Sequence, residues 1–321
     1  MSTPARPAMP SGIAPITPEL LTMVDAIARH GSFARAAREL GKVPSAVTYA
    51  VRKLEDGLDV LLFDRSGHRA RLTEAGETLL EDGRVVLQSL DDLACRVKRV
   101  ATGWEVELRI AVSAVLPLDP LYDLMREFEA VASATTLRFS TEVLSGNWDA
   151  LMANRADLVI GADAAGAPAG AYRSQPMGDT QFGFCVAPHH PLAALNRPLT
   201  SEDIRAHCAI VVADTSRNLP PRTRGVLQNQ AMIVMPTMQA KIDAQVRGLG
   251  CGHLPLTLAA PYITQGLLVV CPTADVVPLT EHVVYAWRPE APGQALKWWL
   301  ARLQSPRLCE ALLGVRDALP G

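Results

Sequence analysis

The stretch "GSFARAARELGKVPSAVTYAVRKLE", residues 31–55, constrains the fold most, because it alternates helix-forming runs with residues that stop them. Ahead of it Leu20, Met23, Val24, Ile27 and Ala28 recur at three- and four-residue spacing, the mark of an amphipathic helix, and Gly31 ends that helix. Ser32 suits the N-cap of a second helix through Leu40, with Phe33, Ala36, Ala37 and Leu40 on its inner face. The two alanines let another helix approach closely. Gly41 closes the second helix, and Pro44 fits the first turn of a third, where its missing N–H costs nothing. That third helix runs to about Gly57. Its pattern predicts burial of Ala46, Val47, Ala50, Val51 and Leu54, and exposure of Ser45, Thr48, Tyr49, Arg52 and Lys53.

Two helices joined by a short turn, the second exposing small polar and basic side chains, fit a helix-turn-helix or a generic helical hairpin. The next segment favours the former. "LLFDRSGHRARLTEAGETLL", residues 61–80, offers two short extended runs around the turn pair Ser66-Gly67, with Arg65, His68, Arg69 and Arg71 at its tip, which is a wing. Thr73 then caps a long helix, with Glu74 and Glu77 near its positive end. Along it Leu79, Val86, Leu90, Leu93, Val97 and Val100 keep an alternating three-four spacing, broken where Gly83 sits. Such a seam calls for a partner helix, within the chain or from a second copy. The net charge of -2 is unevenly spread: residues 1–76 hold ten Lys or Arg against eight Asp or Glu (+2), the remainder 21 against 25 (-4). A small basic face suffices for phosphate binding even on an acidic protein.

A chain of 321 residues exceeds the size of a single core, so two or three domains are expected. Hydrophobic content of 49% with 20% charged residues is that of a soluble protein, and no apolar run approaches the roughly 20 residues of a membrane span. No membrane partner and a cytoplasmic location are expected. Residues 1–18 hold five prolines, and residues 1–15 read as a disordered leader. Six cysteines (Cys95, Cys185, Cys208, Cys251, Cys271 and Cys309) are scattered, with no C-x-x-C pair and no His at zinc-ligand spacing. No metal or cofactor is expected; the thiols are either buried and inert or, if one lies near cations, redox-sensing.

From Trp104 the period changes. "VELRIAVS" alternates as a strand through Val106, Leu108, Ile110 and Val112; a helix from Pro120 to about Val131, a strand "TLRFSTEV", a short helix near Trp148–Asn154 and a strand "DLVIG" follow. Strand, helix, strand at these lengths means a parallel α/β sheet. After the Pro- and Gly-rich residues 164–170, "QFGFCVA" opens a second set, with a helix near Ser201–Ala206, strands "CAIVVAD" and "AMIVM", a helix from Thr237 to about Arg247 and a strand "CGHLP". "HVVYAWRP" returns to the first set, and a helix over Gln294–Gln304 follows. Trp298 and Trp299 on that helix are core candidates rather than a ligand site. His189-His190 lies in a loop without a nucleophile motif, a phosphate loop or H-E-x-x-H, so no enzyme is expected.

"GSFARAAREL", "PSAVTYAVRKLE" and "LFDRSGHRARLTEAG" together resemble the N-terminal domain of the LysR-type transcriptional regulators. "RADLVIG", "APHHPLA" and "GLGCGHLP" look like the effector-binding domain of that family. The resemblance implies a multidomain chain: a winged helix-turn-helix over 16–76, a linker and dimerisation helix over 77–103, and a two-lobed α/β domain like the periplasmic binding proteins over 104–321. Lobe I would comprise 106–177 and 282–310, and lobe II 178–281. It also implies double-stranded DNA, a small-molecule effector, a homodimer or homotetramer, and RNA polymerase as partners. DNA contacts would fall on Ser32, Arg35, Pro44, Ser45, Thr48, Tyr49, Arg52, Lys53, Arg65, His68 and Arg69. One departure matters. The family usually places Ser or Thr and then Gln where this sequence has Val43 and Pro44, so a base-reading Gln is lost and specificity leans on Ser45, Thr48, Tyr49 and Arg52 or on DNA shape.

The effector would lie between lobes, at strand ends and helix starts. Carried onto this sequence, its lining is Ser113, Val115, Leu116, Thr141, Leu144 and Asp163 from the first set, and Asp214, Thr215, Thr237 and His253 from the second. Few charges among them suit a modest aromatic or hydroxylated molecule rather than a polyanion. The rival readings are an enzyme or transport-type binding domain with an appended DNA module, and a thiol-based sensor.

Overall fold

The computed structural model describes residues 16–64, 69–132, 134–276 and 279–314. The leader 1–15, the wing-tip residues Arg65 and His68, and the side chain of Cys95 lie outside the described residues. Two units divide the chain between Val97 and Lys98.

In the first unit, α1 (Pro18–His30) is capped by Thr17, whose hydroxyl accepts from the Leu20 N–H at 3.3 Å, and ends at Gly31 with φ 60°. Ser32 caps α2 (Phe33–Glu39), and Pro44 opens α3 (Pro44–Leu58). The third helix ends at Leu58, next to the expected Gly57, and is closed by Asp59 in the left-handed region (φ 54°). Val24, Ile27, Ala36, Ala37, Val47, Val51 and Leu54 close one core with Leu62 and Phe63, each large apolar side chain contributing about 1.5–3 kcal/mol by leaving water. Ala46 is exposed and Ala50 half-buried, contrary to expectation, because the buried stripe of α3 runs through Val47, Val51 and Leu54.

The wing strands β1 (Phe63–Asp64) and β2 (Arg71–Leu72) pair antiparallel, Phe63 opposite Leu72. Glu55, buried in the last turn of α3, accepts the N–H groups of Leu62 (2.9 Å) and Phe63 (3.2 Å) and so fixes where the wing departs. Thr73 caps α4 (Glu74–Thr102) by accepting from the Gly76 N–H at 3.1 Å and donates to the Leu61 carbonyl at 2.6 Å. A Cβ on Gly76 would collide with the Leu62 carbonyl, and one on Gly83 would sit 2.7 Å from Leu21 Cδ2. The break in the apolar seam at Gly83 is thus where α4 packs closely on α1. Beyond it Val86, Leu90, Leu93, Val97 and Val100 are all exposed.

The second unit begins with β3 (Glu107–Ser113), α5 (Asp119–Val131), β4 (Thr136–Glu142), α6 (Ser145–Met152) and β5 (Leu158–Asp163); β3 lies between β4 and β5 and runs parallel to both. Then come β6 (Arg173–Val186), α7 (Ser201–Arg205), β7 (Ala209–Val212), β8 (Met232–Met235), α8 (Met238–Val246), β9 (Gly252–Pro255) and α9 (Leu256–Thr264). The strands β10 (Val269–Val270) and β11 (Thr280–Trp287) and the helices α10 (Gln294–Leu303) and α11 (Pro306–Leu313) follow.

One long strand joins two sheets. The first part of β6, to Gln181, pairs with β11; from Phe182 onward it pairs with β9 and β10. The first sheet has the order β6-β11-β5-β3-β4. The second is extended from β9 by a parallel bridge, Ala209 to Cys251, to β7 and β8. The change of partner falls between Gln181 and Phe182, inside a strand that runs from Arg173 to Val186 with a register shift at Met177. Trp299 is fully buried, and Trp298 packs edge-on to Phe128 at 5.2 Å with the Arg302 guanidinium 4.8 Å from its ring centre, so both serve the core.

Candidate functional site

The exposed face of α3 and its neighbours gathers the residues expected to meet DNA. Pro44, Ser45, Arg52 and Lys53 are exposed, and Tyr49 is 69% exposed; Arg35 on α2 and Arg69 after the wing tip are exposed too. Thr48 is half-buried and donates to the Pro44 carbonyl at 2.9 Å, and Ser32 accepts the Arg35 N–H at 3.4 Å, so both hydroxyls have structural duties. Val43 is exposed and offers no side-chain cap to α3.

The basic residues of this unit sort into two groups. Arg29 and Arg84 hold Asp25, Arg29 also holds Glu39, and Lys42 pairs with Glu19. Among the described residues Arg35, Arg38, Arg52, Lys53, Arg69 and Arg71 form no ion pair, and all six are exposed. Their charges are available to phosphates.

In the second unit a cavity of about 690 Å³, its mouth included, lies beside the partner change of β6. Five expected residues line it: Ser113, Val115, Leu144, Asp163 and His253. Five do not, each for a local reason. Leu116 is buried in the first core and would meet any Cβ at Gly161, and Thr141 is exposed on the edge strand β4. Thr237 caps α8 by accepting the Ala240 N–H at 3.1 Å. Asp214 accepts the N–H groups of Ser145, Gly146, Ser216 and Arg222, at 3.2, 3.2, 2.8 and 2.8 Å. Burial opposes its charge, yet those N–H groups hold its carboxyl below the ordinary range. Thr215 donates to Glu142 at 2.5 Å and accepts from the Val143 N–H at 2.9 Å. Asp214 and Thr215 therefore fasten the segment after β7 to the start of α6.

Strand-end reasoning missed Asn147, Phe182, Arg224, Met238, Lys241 and Glu281, all in the lining. Arg224 bridges two carboxylates, Asp163 and Glu281, each at 2.5 Å. Burial pushes the Glu281 carboxyl up, against the pull of Arg224. Lys241 is 8% exposed and donates to the His253 carbonyl at 2.7 Å; burial pushes its amine down to about 8. Burial, with the Lys241 charge, lowers His253 to about 4, so its ring is neutral near neutral pH. A signal for Lys241 exists in the sequence: Met238, Lys241 and Gln245 share one helical face. Arg224 sits in a segment without periodicity and carries none.

Residues 18–77 match the family described as "Bacterial regulatory helix-turn-helix protein, lysR family", and residues 101–306 match "LysR substrate binding domain". The chain belongs to the LysR family. It is similar to YeeY of Escherichia coli K12, described as an uncharacterized HTH-type transcriptional regulator, at 39% identity over 283 residues, 88% of this chain and 91% of that one. YhaJ of the same strain is 38% identical over 291 residues, 90% and 96% of the two chains. The stretches "VPSAVTYAVRKLE", "LFDRSGHR" and "AWRPEAPGQALKWW" resemble the YhaJ subgroup. Full-length CbnR in complex with its target DNA shares the fold with a TM-score of 0.60 at 18% identity, over 91% of this chain and 100% of that one. A full-length OxyR variant from Pseudomonas aeruginosa does so at 0.53 and 21%, over 93% and 97%. The chain is a LysR-type DNA-binding regulator with an effector-binding domain; its relatives are transcriptional regulators, not enzymes.

Proposed function

We propose that this LysR-type regulator binds operator DNA as a dimer of dimers and changes its DNA-reading geometry when a small aromatic or hydroxylated molecule enters the cavity. The observation that carries the reading is the cavity itself: Ala114, Val115, Val143, Leu144, Phe182, Val212 and Met238 offer apolar surface beside a few polar groups. The exposed side chains of α4 past Gly83 support pairing through that helix. The edge strand β8, exposing Met232, Ile233 and Val234, supports a second contact between copies. Ser32, Arg35, Pro44, Ser45, Thr48, Tyr49, Arg52, Lys53 and Arg69 form the DNA face, with Arg65 and His68 at the wing tip. RNA polymerase is the partner a regulator of this kind would address at a promoter, and the cytoplasm its compartment. Among the described residues no helix is long and apolar enough to cross a membrane.

The thiol-sensor reading finds less support. Burial pushes Cys185 and Cys251 up to about 12 and raises Cys271 and Cys309, the reverse of a reactive thiolate. The test of the main reading is Ser113→Trp, which fills the cavity from the end of β3. Reporter expression should then stay in one regulatory state whatever effector is supplied. Normal induction by that variant would overturn the assignment, and sedimentation showing a monomer at micromolar concentration would overturn the assembly.

A further inference from the structure

Lys241 is the unexpected charge of the cavity. Around it lie Cys185 from β6, Cys251 and Gln245 behind the wall and His253 on it, none of them an anion near neutral pH. The two carboxylates of the lining, Asp163 and Glu281, are both held by Arg224. Among the described residues no carboxylate pairs with Lys241, whose one hydrogen-bond partner is a backbone carbonyl. A buried charge without a counter-ion is unfavourable, and an ammonium has three donors to place. Also in the lining, from α6, Asn147, 2% exposed, donates to the Leu144 carbonyl at 3.1 Å and to Ser113 at 3.4 Å, while its Oδ1 has no partner. The lining thus holds an unpaired cation, Lys241, and two polar atoms without a hydrogen-bond partner, Asn147 Oδ1 and His253 Nδ1, the latter beside Lys241, set among apolar side chains.

We propose that the effector is a monoanion with an apolar, aromatic body: its acidic oxygen, a carboxylate or a phenolate, pairs with Lys241, and a donor at its other end meets Asn147 Oδ1. This rests on the cavity being the effector site. The acidic oxygen gives Lys241 the ion-pair partner that no side chain among the described residues supplies, since both carboxylates of the lining are engaged by Arg224. Apolar contact with Val115, Leu144 and Phe182 orients the ring between the two polar ends. A neutral isostere gains the same apolar contact and loses the charge-assisted bond.

The test titrates the full-length protein calorimetrically with two matched pairs, each carrying a hydroxyl donor or its equivalent opposite the acidic oxygen: 4-hydroxybenzoate against 4-hydroxybenzamide, and 2,6-dichloro-4-(hydroxymethyl)phenol against its phenol methyl ether. At least one acid should bind about tenfold or more tighter than its neutral partner, the pair that does so naming the carboxylate or the phenolate, and Lys241→Met should bring that ratio close to one. Equal affinities within both pairs, or a ratio that survives in Lys241→Met, would overturn the proposal and leave the cavity as the effector site. Binding that persists unchanged in Ser113→Trp would instead overturn the cavity reading. If neither acid binds at millimolar concentration, the melting temperature of the unliganded protein decides. Lys241→Met should melt higher than the parent chain, because an unpaired charge is gone; a lower value would make Lys241 a structural residue and sink the proposal.

Discussion

Replacing Lys241 by Met should stabilise the unliganded second unit, by an amount that depends on pH. The two side chains are of similar length, and Met leaves no ammonium to desolvate. Burial lowers the amine from the ordinary 10.5 to about 8. At about 1.4 kcal/mol per unit, that displacement penalises the charged folded form by about 3 kcal/mol. Losing the hydrogen bond to the His253 carbonyl returns about 1 kcal/mol, which leaves a net gain of about 2 kcal/mol. For a unit of this size the gain corresponds to a rise of about 4–8 °C in melting temperature. The sign with pH follows from the folded value lying below the unfolded one. Below about 8 both states carry the proton and the penalty is full; between 8 and 10.5 the folded chain sheds it first, and the penalty fades. Calorimetric melts of both proteins across that range should therefore show a gap that is widest near neutral pH and closes by about pH 10. A variant that melts lower at neutral pH, or a gap that does not change with pH, would refute the reasoning.

Three further outcomes test the first unit. Arg69→Ala should flatten the salt dependence of operator binding, its log–log slope falling by about one; an unchanged slope would remove the wing from the DNA interface. Glu55→Ala strands the buried N–H groups of Leu62 and Phe63 and should destabilise the unit by about 2–4 kcal/mol in urea titrations; a loss below measurement would show that water replaces the carboxylate. Leu93→Asp sets a charge in the exposed apolar stripe of α4 and should abolish dimers in sedimentation; a dimer that still binds DNA normally would place the contact elsewhere.

The first unit was legible because its turns use residues whose physical needs are narrow. Gly31 supplies a positive φ, Pro44 a helix start without an N–H, and Thr73 a cap, and each leaves a visible mark in the sequence. The break at Gly83 was visible but had no cause until Leu21 was found against it. The first half of β6 was hidden for the opposite reason. Pro176 and Gly178 resemble a turn, yet the register shift between Val283 and Val284 on β11 accommodates them within a paired strand. α9 also escaped notice, since "LTLAAPYIT" carries Pro261 in its interior and is apolar on most sides, so no period of 3.6 stands out.

The cavity divides along a similar line. Strand-end position selects residues that can reach a ligand, but polar strand-end residues are also those the chain uses to satisfy its own backbone. Asp214 illustrates the competition: with four N–H groups on its carboxylate, it has little capacity left for a guest, although nothing in "VVADTS" distinguishes it from Asp163. Asp163 lines the cavity but shares Arg224 with Glu281, so it too arrives partly satisfied. What remains unspent is the Lys241 ammonium, the Asn147 side-chain carbonyl and His253 Nδ1, the first two on short helices with no clear apolar face to single them out. The selective features of the cavity therefore lie where the protein's own hydrogen-bond accounting fails to close. That accounting needs partners distant in the chain, such as Arg224 against Asp163 and Glu281, and no local pattern in the sequence encodes it.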